Sequence, residues 1–198
     1  MGCCRMHRVQ IYLILLLGIL SGAIVRAAQS PDEYQVKAAF VLNFMKFTDW
    51  PDKKLQEGDP IVIGIIGKNI FGKSLGLLKT KQVSEHSIRI EQLPSWKDIS
   101  DDNEQLHLIR EKICACHLLF ISPSEKDEMA LILNTVRGKP VLTVSDVPGF
   151  VNKDTDSGMI GFAWDENKIR FDINLKSVKN AQLDIRSKLL RLARHVEQ

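Results

Sequence analysis

The stretch IVIGIIGKNIFGKS, residues 61–74, decides the fold of this chain. Its first six residues are apolar or glycine and rich in β-branched side chains, which predicts a strand buried on both faces, as in a parallel sheet. Similar short runs follow, separated by amphipathic stretches. The predicted strands are Ile61–Ile66, Ser87–Leu93, Leu118–Ser122 and Val141–Ser145, and the predicted helices between them are Gly72–Lys79, Glu104–Ile113 and Ser124–Val136. This alternation predicts an α/β fold with a mostly parallel sheet.

The flanks of this pattern complete the predicted fold. Met159–Trp164 and Lys168–Asn174, joined by Asp165-Glu166-Asn167, predict an antiparallel hairpin that closes one edge of the sheet. Ser30-Pro31-Asp32-Glu33 has the residues of a helix start, so we expect a helix over residues 31–48. Apolar residues at helical spacing near the carboxyl end predict a last helix from Ser187 to His195. Together these elements predict a three-layer α/β domain.

The amino end has the organisation of an export signal. Arg5 and Arg8 precede an apolar run from Ile11 to Val25, and small side chains surround Ala27. This order predicts a signal peptide over residues 1–27, followed by a single domain over residues 28–198 in the periplasm. The uncharged stretch is also compatible with an uncleaved membrane anchor.

Composition narrows the function classes. The apolar fraction of 44% suits an ordinary globular core. The formal net charge is only +3, and Arg5, Arg8 and Arg26 would leave with the signal peptide. A nucleic-acid-binding protein normally displays a clustered basic face, so we expect no nucleic-acid partner.

One motif suggests nucleotide hydrolysis. Residues 67–74 satisfy the phosphate-loop pattern G-x-x-x-x-G-K-[ST] between a predicted strand and a predicted helix. In that interpretation Lys73 contacts phosphates, Ser74 holds magnesium and Asp146 orders the metal. Phe71 argues against it, because a bulky ring in the loop is better suited to packing onto the sheet.

Other catalytic and metal signatures are weak, so we predict no catalytic residue, cofactor or metal site. Ser122-Pro123-Ser124 lacks the amide that an oxyanion hole needs after a nucleophile. Cys114, Cys116 and His117 lie close together, but no other histidine is spaced to complete a zinc site. A disulfide between Cys114 and Cys116 would be strained, which leaves two interpretations open: a redox pair, or one core thiol and one exposed thiol.

Separated blocks of the chain resemble the YfiR family. The blocks are Tyr34-x-Val36-Lys37-Ala38-Ala39-Phe40-x-Leu42-Asn43-Phe44-x-x-Phe47-x-x-Trp50-Pro51, Ile63-Gly64 with Phe71-Gly72, Cys116–Ser122, Gly138–Asp146 with Pro148-Gly149-Phe150, Gly158-Met159-Ile160, Arg170-Phe171-x-Ile173-Asn174 and Ser187–Ala193. The resemblance implies a fold like one lobe of a periplasmic solute-binding protein. It also implies a non-enzymatic periplasmic regulator that represses an inner-membrane diguanylate cyclase through its periplasmic part. Relief by an outer-membrane lipoprotein would then tune cyclic-di-GMP and biofilm formation.

We therefore carry three hypotheses: a partner-binding regulator, a periplasmic small-molecule receptor, and a nucleotide hydrolase. An apolar patch favours the first, and a concave pocket with convergent polar groups favours the second. The sequence leaves open whether the domain is a homodimer. The residues predicted to bind a partner are Phe44, Phe47, Trp50, Pro51, Asp146, Pro148, Gly149, Phe150, Lys188 and Arg191. The alternative for the aromatic residues is simple packing of the first helix onto the sheet.

Overall fold

A central sheet with helices on both faces forms the domain in the computed structural model, which describes residues 31–99, 103–153 and 157–198. The predicted signal peptide over residues 1–27 lies outside these ranges. Helices are α1 (Pro31–Lys46), α2 (Asn103–Ala115), α3 (Met129–Thr135), α4 (Leu175–Asn180) and α5 (Ser187–Leu190). Strands are β1 (Thr48–Asp49), β2 (Ile61–Ile66), β3 (Gln82–Val83), β4 (His86–Leu93), β5 (Leu118–Ile121), β6 (Leu142–Ser145), β7 (Ile160–Asp165), β8 (Lys168–Asn174), β9 (Asp184–Ile185) and β10 (His195–Glu197). Short 3-10 helices lie at Leu75–Thr80, Trp96–Asp98 and Pro123–Glu128.

The main sheet has the strand order β10-β8-β7-β6-β5-β2-β4-β3. Its centre is parallel, because β2 pairs in parallel with β4 and β5, and β6 with β5 and β7. The predicted hairpin is β7 and β8, which pair antiparallel. These findings confirm the predicted fold class. The hairpin is not the outermost element, however, since β10 adds a parallel strand beyond β8.

Two apolar clusters, one on each face of the sheet, give the three layers. Along β2, Ile63 and Ile65 belong to the cluster beneath α1, while Val62 and Ile66 belong to the cluster beneath α2 and α3. Alternate strand residues point to opposite faces, so a strand that is apolar at both sets of positions is covered on both faces. The continuous apolar run at residues 61–66 therefore forms a strand that is buried on both faces, as the sequence predicted.

The first helix packs on the hairpin through aromatic rings. Phe44 is fully buried, and its ring centroid lies 5.0 Å from that of Phe171 and 5.6 Å from that of Phe162. Edge and tilted contacts at such distances add to the free energy of burying the rings. After α1 the chain forms β1, which pairs with β9, and the Phe47 carbonyl accepts a hydrogen bond from the Arg186 amide at 2.9 Å.

The hairpin turn has the geometry that two-residue loops prefer. Asp165 pairs with Lys168, and the two residues between them, Glu166 and Asn167, have φ angles of 46° and 61°. Positive φ at both central positions defines a type I′ turn, whose twist matches that of the strands.

The predicted last helix was too long at its carboxyl end. Helical geometry ends at Leu190 instead of continuing to His195, and the Arg194 amide donates a hydrogen bond to the Phe171 carbonyl at 2.8 Å. The apolar spacing continues past Leu190, but pairing with β8 satisfies the backbone groups of β10 in place of helical bonds. Two other predicted helices were partly wrong, because Gly72–Lys79 and the start of Ser124–Val136 form 3-10 helices.

None of the helices in the described ranges is long and apolar enough to cross a membrane. Residues Pro31–Gln198 form one compact unit by their internal contacts.

Candidate functional site

The predicted partner-binding residues divide into two groups at opposite ends of the sheet. The indole Nε1 of Trp50 donates a hydrogen bond to the carbonyl of His117, the residue before β5. Asp146 follows the last residue of β6, which is parallel to β5. Each of these strands has four residues and spans about 13 Å. We therefore describe an amino-end group around Trp50 and a carboxyl-end group around Asp146.

At the carboxyl end, Asp146 belongs to a buried ion triad that sequence analysis missed. The Lys37 ammonium Nζ lies 2.8 Å from Asp146 Oδ2 and 2.6 Å from Glu33 Oε1, and all three side chains are at most 6% exposed. Burial opposes the charged ammonium, but the two hydrogen-bonded carboxylates outweigh it and raise the pKa of Lys37 above 10.5. The rings of Tyr34 and Phe162 lie 5.1 and 5.7 Å from the ammonium. The triad fixes α1 to the end of β6.

One oxygen of this triad lacks a hydrogen bond. Among the described residues, Asp146 Oδ1 is buried and has no partner. Two carboxylates are paired with one ammonium, so an excess negative charge remains at a buried position with little access to water. Such a triad depends strongly on its single cation.

Only some of the predicted partner-binding residues in the loop after Asp146 are exposed. Pro148 and Gly149 are exposed, whereas Phe150 is 3% exposed and packs in the cluster beneath α2 and α3. A side chain at Gly158 would collide with the Phe150 ring, so the ring lies directly on the backbone there. Phe150 therefore holds the loop in place from below, and a partner could touch only the Pro148-Gly149 tip.

At the amino end, Phe44 is part of the core, so only its neighbours face solvent. Phe47 is half-buried, and the Lys188 ammonium lies 5.4 Å from its ring centroid. Arg191 is exposed, and Leu192 is 54% exposed. We call Phe47, Lys188, Arg191 and Leu192 the α5 surface. It combines apolar side chains with two cations. Trp50 and Pro51 are half-buried beside β5 and are not part of this surface.

The phosphate-loop interpretation is contradicted by the structure around Gly67. The backbone of Gly67 lies against the side chains of Ser124 and Glu125, so the space that a phosphate needs is occupied. Glu125 is fully buried, and its carboxylate accepts hydrogen bonds from the Ser95 hydroxyl and the Trp96 amide, each at 2.9 Å. A buried carboxylate at this point repels the phosphate anion.

The residues after Gly67 agree with this conclusion. Phe71 is 2% exposed, and its ring centroid lies 4.7 Å from that of Phe120, as its bulk predicted. The segment after Ser74 is a six-residue 3-10 helix, not the α-helix whose amino end cradles phosphate. Asp146, the proposed metal-ordering residue, is paired with Lys37.

Of the four cysteines in the chain, the two in the described residues, Cys114 and Cys116, are free thiols that point to different places. Cys114 lies at the end of α2, and its Sγ lies 3.6 Å from the Thr135 carbonyl oxygen. Cys116 is buried, with its Sγ 3.2 Å from the Lys112 carbonyl oxygen. Burial raises the pKa of the Cys116 thiol to about 12. This arrangement matches the second interpretation, a core thiol and a more accessible one.

His117 is a structural residue in this fold. Its Nδ1 accepts the Val62 amide at 3.0 Å, so its Nε2 carries the proton and donates to the Lys54 carbonyl at 3.0 Å. Burial lowers the pKa of the ring to about 4. Neither nitrogen is available to a metal, and the described residues contain no cluster of three or more His, Cys, Asp or Glu that could hold one.

The fold and these sites define a mixed α/β domain whose apparent phosphate loop is filled by its own side chains. A comparison with family models identifies the family: the YfiR/HmsC-like model matches residues 34–194. The chain therefore belongs to the YfiR/HmsC-like family, as the separated sequence blocks predicted. A search of curated proteins found no match.

Proposed function

We propose that this chain is a non-catalytic periplasmic regulator that binds the periplasmic part of an inner-membrane diguanylate cyclase and represses it. Lower cyclic-di-GMP and less biofilm would follow, and an outer-membrane lipoprotein would relieve the repression. The observation that carries this proposal is the family match, which extends over almost the whole described domain. The predicted signal peptide supports the compartment. The side chains packed around Gly67 argue against the competing hydrolase.

The α5 surface is the favoured contact with the cyclase. Protein interfaces concentrate their energy in a few anchors that combine apolar area with a charge, and arginine is enriched among them. Leu192 offers exposed apolar area beside the cations Lys188 and Arg191. This combination suits a partner surface with acidic side chains around an apolar centre. The exposed Pro148-Gly149 tip, at the other end of the sheet, is the second candidate contact.

Co-purification from intact envelopes tests both the function and the surface. The full-length chain carries a carboxyl-terminal tag, and mass spectrometry identifies inner-membrane proteins that accompany it. The test variant is Lys188→Glu/Arg191→Glu. Its matched control, Lys126→Glu/Lys153→Glu, reverses the same amount of charge at two exposed positions elsewhere. Charge reversal against an acidic partner costs about 2 kcal/mol or more, or well over tenfold in affinity.

We expect the wild type and the control to retain a diguanylate cyclase and to keep cyclic-di-GMP low. The test variant should lose the cyclase and raise cyclic-di-GMP to the level of a deletion strain. Retention of the cyclase by the test variant would remove the α5 surface from the proposal and direct attention to Pro148→Glu. Absence of any cyclase from the wild-type sample, together with unchanged cyclic-di-GMP on deletion, would contradict the function itself.

A further inference from the structure

A cleft of about 800 Å³ lies between α2 and α3. Both helices pack on the face of the sheet opposite to α1, so the cleft is separate from the α5 surface. Sites for small molecules typically have volumes of roughly 300–1,000 Å³. The cleft is therefore large enough for a small organic ligand, and nothing in the proposed regulation uses it.

The two helices pack side by side on the sheet, and residues of both line the cleft. Their inward residues, such as Ile113 and Ile132, are fully buried against the sheet. At the floor, the Cys114 Sγ approaches the Thr135 carbonyl on α3. Leu131, which lines the cleft on the α3 side, is 52% exposed.

The lining combines apolar area with positive charge. Trp96, Leu106 and Leu131 supply the apolar part, and Arg110 and Lys139 supply two cations. Within the described ranges, neither cation is in an ion pair with a carboxylate. The carboxylate in the lining, Glu111, lies 3.7 Å from the ring of His107 instead.

We infer that this cleft binds a small amphipathic carboxylate, with its apolar body against Trp96 and Leu131 and its anionic group at Arg110 and Lys139. The charge decides the class: a guanidinium and an ammonium that face one cavity favour an oxyanion and repel an amine. Apolar side chains also line the cleft, so a ligand with an apolar body fits it better than a simple inorganic anion does.

Chemical labelling of Cys114, which lines the cleft, measures ligand binding at this site. Cys114 is half-buried and lines the cleft, whereas Cys116 is fully buried with a thiol pKa of about 12. Thiolate is the reactive form, so iodoacetamide should label Cys114 and leave Cys116 intact at neutral pH. Fragmentation of the peptide that contains both residues separates the two labels. A ligand in the cleft covers Cys114 and slows its labelling.

The experiment uses the full chain with octanoate, octylammonium and octanol as matched probes. Octanoate should slow Cys114 labelling and shift the NMR signal of the Trp96 indole N–H, which Trp96→Phe assigns. Octylammonium and octanol should do so far less. Arg110→Glu/Lys139→Glu should weaken the effect of octanoate by about tenfold or more, as the loss of a charge-assisted hydrogen bond does. The charge-matched Lys126→Glu/Lys153→Glu should respond like the wild type.

Equal protection by octylammonium would overturn the assignment of an anionic ligand. So would an unchanged octanoate response in Arg110→Glu/Lys139→Glu. An octanoate titration that moves neither Cys114 labelling nor the Trp96 signal would remove the site altogether. Thermal unfolding of each variant serves as the check on folding, and the four side chains whose charge is reversed are all exposed.

Discussion

Acid should destabilise this domain through His117, and the size of the effect can be worked from the structure. The buried ring has a pKa of about 4, against 6.5 for a free histidine. Between these two pH values the unfolded chain binds a proton at His117 and the folded chain does not. The free energy of unfolding therefore falls as the pH falls through this range, and the contribution levels off below pH 4. The 2.5-unit difference corresponds to about 3.5 kcal/mol when the full shift is expressed, since one unit is about 1.4 kcal/mol.

His117→Gln isolates this contribution. The glutamine amide still has an acceptor for the Val62 amide and a donor for the Lys54 carbonyl, but it does not titrate. Urea unfolding followed by circular dichroism at about pH 7.5 and pH 4.5 gives the free energy for both proteins. The wild type should lose about 2 kcal/mol more than His117→Gln over this interval. Carboxylates that titrate in the same range cancel in the comparison. Parallel losses in the two proteins would refute the assignment of His117 as a buried neutral ring.

Four other substitutions should change the free energy of unfolding, measured by urea at neutral pH. Lys37→Met leaves two buried carboxylates without a cation and should cost about 3–5 kcal/mol, whereas Asp146→Asn keeps one ion pair and should cost about 1–2 kcal/mol. An equal cost for the two variants would show that the excess negative charge is unimportant. Gly67→Ala should cost about 2 kcal/mol or more, because φ is +84° and the added methyl meets Glu125; a neutral result would contradict the close approach. Glu166→Gly should stabilise by about 0.5–1 kcal/mol, since Glu166 has a φ of 46° in the hairpin turn. Destabilisation by that change would mean that the turn is not type I′.

Local sequence patterns predicted most of the sheet. The run at residues 61–66 coincides with β2, and the runs at Ser87–Leu93 and Lys168–Asn174 agree with β4 and β8 within one residue. The run in β2 is informative because a strand buried on both faces needs apolar residues at nearly every position, whereas β4 and β8 mix apolar with charged residues and are buried only in part. The helical spacing of apolar residues near the carboxyl end, in contrast, gave a wrong prediction after Leu190. Helical spacing says only which residues are apolar, and the pairing of β10 with β8 depends on backbone groups that spacing does not report.

The candidate sites were harder to predict because they depend on contacts between distant residues. Lys37 and Asp146 are 109 positions apart, and both lie within sequence blocks that identified the family without revealing that they meet. Phe44 and Phe150 were predicted to bind a partner, but both are buried, and Phe44 packs the first helix onto the sheet as the alternative interpretation stated. An amphipathic helix pattern predicts a buried face; it does not predict whether two neighbouring helices close over the sheet. The cleft between α2 and α3 therefore could not be predicted from the sequence.

The outer strands of the described sheet are very short. β3 has two residues and pairs only with His86 and Ser87, so the outer edge of β4 from Ile88 to Leu93 has no strand partner among the described residues. Long open edges are the templates on which β-proteins polymerise by adding strands from other molecules. This domain therefore keeps one such template along β4, where the charged side chains of Arg89 and Glu91 oppose the addition of an apolar strand from another molecule.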